Sequence, residues 1–274
     1  METNLILSEI NSFSGEIKEN EPLSKHTYYR IGGAARIFAV PENFDDLVHI
    51  SSVINKFKIP FFVLGAGSNV LVSDQGFNGI VIKLGKINKE ISYFNKEDQS
   101  YLKIGSSVLV SQLLNKAMDN GWGGLEFLTG IPGTIGGTVV MNAGTHLGES
   151  KEALIEVEYI DLQDKENIIY KVKISSDSFS YRKNHFLPKG AIVWSTCWKI
   201  KMDQPLSVKT KVKELLSRRK SIQPVNFPSC GSVFKNPKGH NLSAWQVIDK
   251  LGLRGYTVGG ACFSSKHPIL LLTN

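Results

Sequence analysis

With 274 residues, 42% of them hydrophobic, the chain is long enough for two or three compact units and has no apolar run of membrane-spanning length. Its net charge of +7 comes without an aromatic-interleaved patch or reader motif, so nucleic-acid binding ranks behind a solvated basic face and the attraction of phosphorylated small molecules. Three cysteines (197, 230 and 262) without a Cys-x-x-Cys argue against a disulfide framework, and six scattered histidines give no metal-ligand spacing, so no metal site is expected.

The polar N-terminal stretch 1–20 lacks the basic region and apolar block of a signal peptide, which predicts a cytoplasmic protein. Phe44, Leu47, Val48, Ile54 and Phe57 fall on one side of a helix predicted over 42–57. Apolar β-type runs follow at 60–64, 69–73, 79–84 and 101–104. A second helix is predicted over 106–120, on Leu109, Leu113, Leu114 and Ala117, with Gly121 as its stop. Further strands are predicted at 155–161, 168–174 and 191–200. Val208, Val212, Leu215 and Leu216 then recur at helical spacing, which puts Lys209, Lys211, Lys213, Arg218, Arg219 and Lys220 on an outer face. Ser243 reads as the N-cap of a last helix ending at Gly252. Helices and strands do not alternate regularly, so the fold class is α+β.

Two glycine-rich loops stand beside apolar runs. Gly65-Ala66-Gly67-Ser68-Asn69 follows a strand pattern as a dinucleotide fingerprint does, but Val70 occupies the third glycine position and another apolar run follows instead of a helix. The reading is strand, glycine turn, strand, with backbone N–H groups able to cradle a pyrophosphate. The second loop, 130–144, carries glycines at 130, 133, 136, 137 and 144, so backbone must approach something closely there. Thr134, Thr138 and Asn142 add small polar groups. A tight turn array within a sheet is the bland alternative.

Ser229-Cys230-Gly231-Ser232-Val233-Phe234-Lys235-Asn236-Pro237 is the most informative segment. A turn bent at Gly231 and Pro237 aims Ser232, Lys235 and Asn236 together. A neutral serine hydroxyl gives its proton only to a strong base such as a carbanion or enolate. The alternative is a polar turn whose serine caps its own backbone. Cys230 reads as a small packing residue.

Taken with Thr27-Tyr28-Tyr29-Arg30-Ile31-Gly32-Gly33, Tyr181-Arg182, Gln223-Pro224, Leu253-Arg254-Gly255-Tyr256 and Gly259-Gly260-Ala261, these motifs resemble the UDP-N-acetylenolpyruvoylglucosamine reductase family over nearly the whole chain. The resemblance implies a two-subdomain FAD-binding unit of the PCMH/vanillyl-alcohol-oxidase type, as 1–84 and 85–202, and a C-terminal α+β substrate domain over 203–274. It implies noncovalent FAD, held by Gly65, Ala66, Gly67, Ser68, Asn69, Gly133, Thr134, Gly136, Gly137 and Asn142. NADPH would be the reductant and a UDP-sugar enolpyruvyl ether the substrate, on the way to peptidoglycan precursor. No nucleic-acid or membrane partner is implied, and a monomer is favoured.

By the same resemblance Arg182 is catalytic at the substrate carboxylate and Ser232 is the proton donor. Tyr181, Gln223, Lys235 and Asn236 are substrate contacts. Asn184 stands where the family has a serine. The family also continues past the point matching residue 274 with a helix and a catalytic glutamate. The expectation is therefore an incomplete C-terminal domain, with impaired turnover and an uncovered apolar edge at Ile269, Leu270, Leu271 and Leu272. A different FAD oxidoreductase on this scaffold, or a flavin-binding remnant, are the rival readings.

Overall fold

Asn43 begins the first long helix by accepting the N–H of Asp46 on its side-chain oxygen at 2.8 Å, and Asp45 and Asp46 suit the helix N-terminus electrostatically. The helix, Phe44–Phe57, stops where Lys58 turns left-handed at φ 54°. In this computed structural model residues 3–10, 13–164, 166, 168–239 and 241–273 are described. They divide into two compact units: unit 1 is 1–21, 35–66 and 78–213, and unit 2 is 22–34, 67–77 and 214–274.

Unit 1 is built on two sheets. The first has four strands in the order Glu16–Pro22, Ala34–Val40, Phe77–Lys83, Phe61–Leu64. The last two are parallel, with Phe61 opposite Ile80 and Leu64 opposite Lys83. Ile37, Ile80 and Ile82 of this sheet bury against Leu47, Ile50, Val53 and Ile54 of the 44–57 helix. Each such side chain contributes about 1.5–3 kcal/mol relative to exposure.

The second sheet is antiparallel, in the order Ile169–Lys173, Leu154–Ile160, Ile192–Met202, Gln99–Gly105, Ile91–Lys96. Its core sets Leu102, Ile104 and Trp198 against Val110, Leu113, Leu114 and Ala117 of the helix Val110–Asn120. Trp198 is fully buried, and its Nε1–H donates to Thr196 Oγ1 at 2.7 Å.

Unit 2 carries a three-stranded antiparallel sheet, Thr257–Val258, Ala261–Phe263 and Leu271–Thr273. The helix Ala244–Lys250 opens on Ser243, whose N–H reaches Gln246 Oε1 at 2.8 Å. The α+β expectation holds.

Several expectations need correction. Residues 69–73 form no strand: their backbone is drawn instead to 33 and 76, with both Gly33 and Gly76 donating to the Ser73 carbonyl at 2.9 Å. The helix expected from 106 starts at Val110, because the N–H of Ser106 goes to the Trp194 carbonyl and the hydroxyl of Ser107 to that of Leu84. Within 130–144 the segment Ile135–Val140 is a short helix, capped when Thr134 Oγ1 accepts from Gly137 N–H. Strands at 16–22, 34–40 and 91–96 gave no clear apolar alternation in the sequence.

Arg219 is half-buried in the helix Pro205–Ile222 rather than on its outer face, and burial lowers its pKa. Ile269, Leu270 and Leu272 are not an uncovered edge. They are buried with Ala244 and Ile248, and Phe263 and Leu253 pack against them. Asn274 lies outside the described residues.

Candidate active site

In unit 1 the two glycine loops meet. A Cβ built on Gly65 would stand 2.8 Å from Thr134 Oγ1, so the first loop approaches the second as closely as a missing side chain allows. Gly136 is seated on Ser106, with a built Cβ 3.0 Å from the serine Cβ. Among the described residues no chain acceptor takes the backbone N–H of Gly65 or Ala66. Two unused N–H groups, a threonine hydroxyl and a close backbone approach form a donor set that fits the anionic part of a dinucleotide.

Asn142 is wholly buried at φ 42°, and its side chain serves the chain itself. Its Nδ2 donates to Glu149 Oε2 at 2.8 Å and to the Ser180 carbonyl at 3.3 Å, while its Oδ1 accepts from Lys151 N–H at 3.1 Å. Its carbonyl takes Arg182 Nη1 at 3.1 Å.

Arg182, itself left-handed at φ 57°, is held tightly. Nη1 also reaches Glu149 Oε1 at 3.1 Å, and Nη2 reaches the Gly144 carbonyl at 3.0 Å. The Tyr181 ring lies 5.0 Å from the guanidinium carbon. These contacts leave Nε–H and one Nη2–H without partners among the described residues. Spare donors on a guanidinium are suited to a carboxylate. Glu149 was missed in the sequence; its only signal is its place just after the second glycine loop.

In unit 2, Gly67 is left-handed at φ 71°, and a built Cβ would stand 2.0 Å from the His26 carbonyl oxygen. The space that a pyrophosphate was expected to use is filled by the His26–Thr27 backbone, and Gly67 accepts Tyr28 N–H at 2.9 Å. Ser68 is half-buried and Asn69 exposed.

The serine segment is clipped to the 269–270 backbone. Ser232 bridges Leu270, and Val233 N–H donates to the Ile269 carbonyl at 3.2 Å. The hydroxyl that caps the turn belongs to Ser229, which accepts Gly231 N–H at 3.4 Å. Ser232 is exposed, and its hydroxyl has no partner among the described residues. Lys235 is exposed as well, whereas Asn236 Oδ1 accepts Ala244 N–H at 3.0 Å and so helps start the 244–250 helix.

Gln223 borders a hollow of about 710 Å³ in unit 2, with Lys220, Phe227, Phe263 and Lys266. Cys230 is buried, its Sγ 3.2 Å from the Val70 carbonyl, and burial pushes its thiol pKa up. It is a packing residue, not an activated thiol. Among the described residues there is no group of three His, Cys, Asp or Glu suited to a metal ion, and no helix is long and apolar enough to cross a membrane.

A family model described as an FAD binding domain matches residues 35–166, and one described as the C-terminal domain of UDP-N-acetylenolpyruvoylglucosamine reductase matches 223–274. The chain is 38% identical to the UDP-N-acetylenolpyruvoylglucosamine reductase of Caldanaerobacter subterraneus subsp. tengcongensis over 92% of its own length and 80% of the relative's. It is also 38% identical to that of Rickettsia peacockii, over 95% and 84%. The crystal structure of the Thermus caldophilus enzyme superposes with a TM-score of 0.77 at 32% identity, over 94% of this chain and 88% of that one. A solvent-stable cholesterol oxidase shares the fold over 71% of this chain and 40% of its own, with a TM-score of 0.53 at 10% identity. With motifs, FAD-binding domain and C-terminal domain in agreement over most of its length, the chain belongs to the UDP-N-acetylenolpyruvoylglucosamine reductase family.

Proposed function

We propose that the protein is an NADPH-dependent flavoenzyme that reduces the enolpyruvyl ether of UDP-N-acetylglucosamine to UDP-N-acetylmuramate, a peptidoglycan precursor. Family membership supports the reaction. The observation that carries the flavin part is the meeting of Gly65 with Thr134. FAD, when bound, supplies the hydride chemistry. Gly65, Ala66, Gly133, Thr134, Gly136 and Gly137 would hold it, with Gly67, Ser68 and Asn69 completing the first loop. Asn142 has its side chain committed to Glu149, Lys151 and Ser180, so its part is to hold Arg182 in place rather than to touch the flavin.

Arg182 grips the substrate carboxylate through its spare N–H donors and offsets the charge that builds there during reduction. The carbon next to the reduced one takes its proton from the Ser232 hydroxyl. The absence of a capping bond on that hydroxyl favours this role over the polar-turn alternative. Tyr181, Gln223, Lys235 and Asn236 are the proposed substrate contacts; Asn236 would act through its amide NH₂, since Oδ1 caps a helix. The division into 1–84, 85–202 and 203–274 is supported by a separate main sheet in each part, although 22–34 and 67–77 group with the C-terminal unit. A monomer in the cytoplasm is the proposed working form.

The test is anaerobic mixing of flavin-loaded protein with NADPH, then with the enolpyruvyl substrate. Flavin bleaching followed by substrate-dependent recovery is expected. Bleaching without recovery by this substrate would favour a different flavin oxidoreductase. Protein that takes up no flavin would overturn the reading.

A further inference from the structure

Lys83 ends the strand Phe77–Lys83 after Gly79, Ile80, Val81 and Ile82, all four of them buried. A charged residue closing so apolar a strand is a signal legible in the sequence, and neither loop motif accounts for it. The side chain is half-buried, and burial lowers its pKa. Among the described residues no carboxylate lies within ion-pair distance of it. A half-buried ammonium without a partner is costly unless something anionic comes to it.

Where that charge sits is defined by register. Lys83 lies opposite Leu64 in the parallel pair, so the two side chains leave the same face of the sheet. Ile80 and Ile82 leave the other face, toward the 44–57 helix. Lys83 Cε comes 4.0 Å from the place of a Cβ on Gly85, so the side chain runs along the chain past the end of its strand. Leu64 leads directly into Gly65, the residue packed against Thr134. The adjoining Leu84 carbonyl accepts the Ser107 hydroxyl, and the Ser106 carbonyl accepts Gly136 N–H at 2.9 Å. The ends of both parallel strands, the start of the first loop at Gly65 and the start of the 135–140 helix thus converge within unit 1, and Lys83, without an ion-pair partner among the described residues, closes one of those strands.

We propose that the Lys83 ammonium binds the phosphoanhydride of the flavin dinucleotide, a role that rests on the flavin reading above. A UDP moiety offers the same phosphate chemistry, and the test separates the two. Flavin is stripped from the parent, Lys83→Met and Lys83→Arg proteins. Each apoprotein is titrated with FAD, riboflavin and UDP by fluorescence or calorimetry, and its Tm is recorded.

The expected result is FAD affinity roughly ten- to hundredfold weaker in Lys83→Met, the worth of one charge-assisted hydrogen bond. Riboflavin, which lacks phosphate, should bind parent and variant alike. Lys83→Arg should keep most of the FAD affinity. The Tm of Lys83→Met apoprotein should equal or exceed the parent's, because a half-buried charge is gone. Unchanged FAD affinity in Lys83→Met overturns the proposal while leaving the flavin reading intact. Equal loss for riboflavin, or a loss confined to UDP, also overturns it. A parent apoprotein that takes up no FAD overturns both.

Discussion

Glu149 holds Arg182 and Asn142 at once: one carboxylate oxygen lies 3.1 Å from Arg182 Nη1 and the other 2.8 Å from Asn142 Nδ2. Asn142 and Glu149, seven residues apart, are thereby fixed to Arg182, 33 residues beyond Glu149, and the guanidinium keeps N–H donors to spare among the described residues. A side chain with this many partners is pre-oriented, so little ordering remains to be done when a carboxylate binds.

Arg182→Lys is expected to lower turnover roughly 10²–10³-fold, because an ammonium cannot form the paired bonds of a guanidinium. Glu149→Gln should have the smaller effect, roughly tenfold, and mainly on kcat. Steady-state NADPH oxidation, resolved into kcat and KM, reads both. A change in KM alone for Glu149→Gln would mean that it does not position Arg182 for the chemical step.

Ser232→Ala should leave flavin reduction by NADPH intact and slow flavin reoxidation by the enolpyruvyl substrate. Its hydroxyl has no partner among the described residues, so little stability is lost with it. Stopped-flow traces of the two half-reactions decide the matter. Equal loss in both would make Ser232 a structural residue.

Gly67→Ala and Gly65→Ala should fail for different reasons. At Gly67 the new Cβ meets the backbone oxygen of His26 at 2.0 Å and the residue is left-handed, so the cost is to folding. A fall in Tm of several degrees is expected, in apo and flavin-loaded protein alike. At Gly65 the obstacle is the Thr134 side-chain oxygen at 2.8 Å, which separates the loops. There FAD affinity should drop more than apoprotein Tm does. Equal Tm losses in the two variants would contradict the distinction.

His267 sets a pH dependence in unit 2. Burial first, then the Arg254 and Arg219 cations, lower its pKa below the ordinary 6.5, and its Nδ1 is buried without a partner among the described residues. The unfolded chain therefore takes up this proton before the folded chain does. Stability should fall as the pH drops below about 6.5 and level off below the folded pKa. His267→Gln should flatten that slope in urea melts between pH 7 and 5. An unchanged slope would show that other groups set it.

The helix expected over 42–57 and found at 44–57, the stop at Gly121, the Ser243 cap and most strands of the second sheet were legible in the sequence, because those signals are local. Apolar spacing and capping side chains act within a few residues of where they are read. Gly136 was also legible as a place of close approach and Gly65 and Gly67 as a phosphate-cradling turn, though what stands against each was not. For Gly65 it is Thr134, for Gly136 it is Ser106, and for Gly67 it is His26, all chosen by tertiary packing. The same holds for Asn142, whose type suggested a ligand contact and whose burial made it a scaffold for Arg182. Glu16–Pro22 is polar and becomes a strand through pairing, while Ala34–Val40, buried on both faces, shows no alternation to read. Leu270 and Leu272 looked bare in one dimension and are buried in three, since a helix 20 residues upstream packs on them. Only the tertiary structure could decide which polar groups keep a free hydrogen bond, because that depends on every neighbour a side chain acquires when the chain folds.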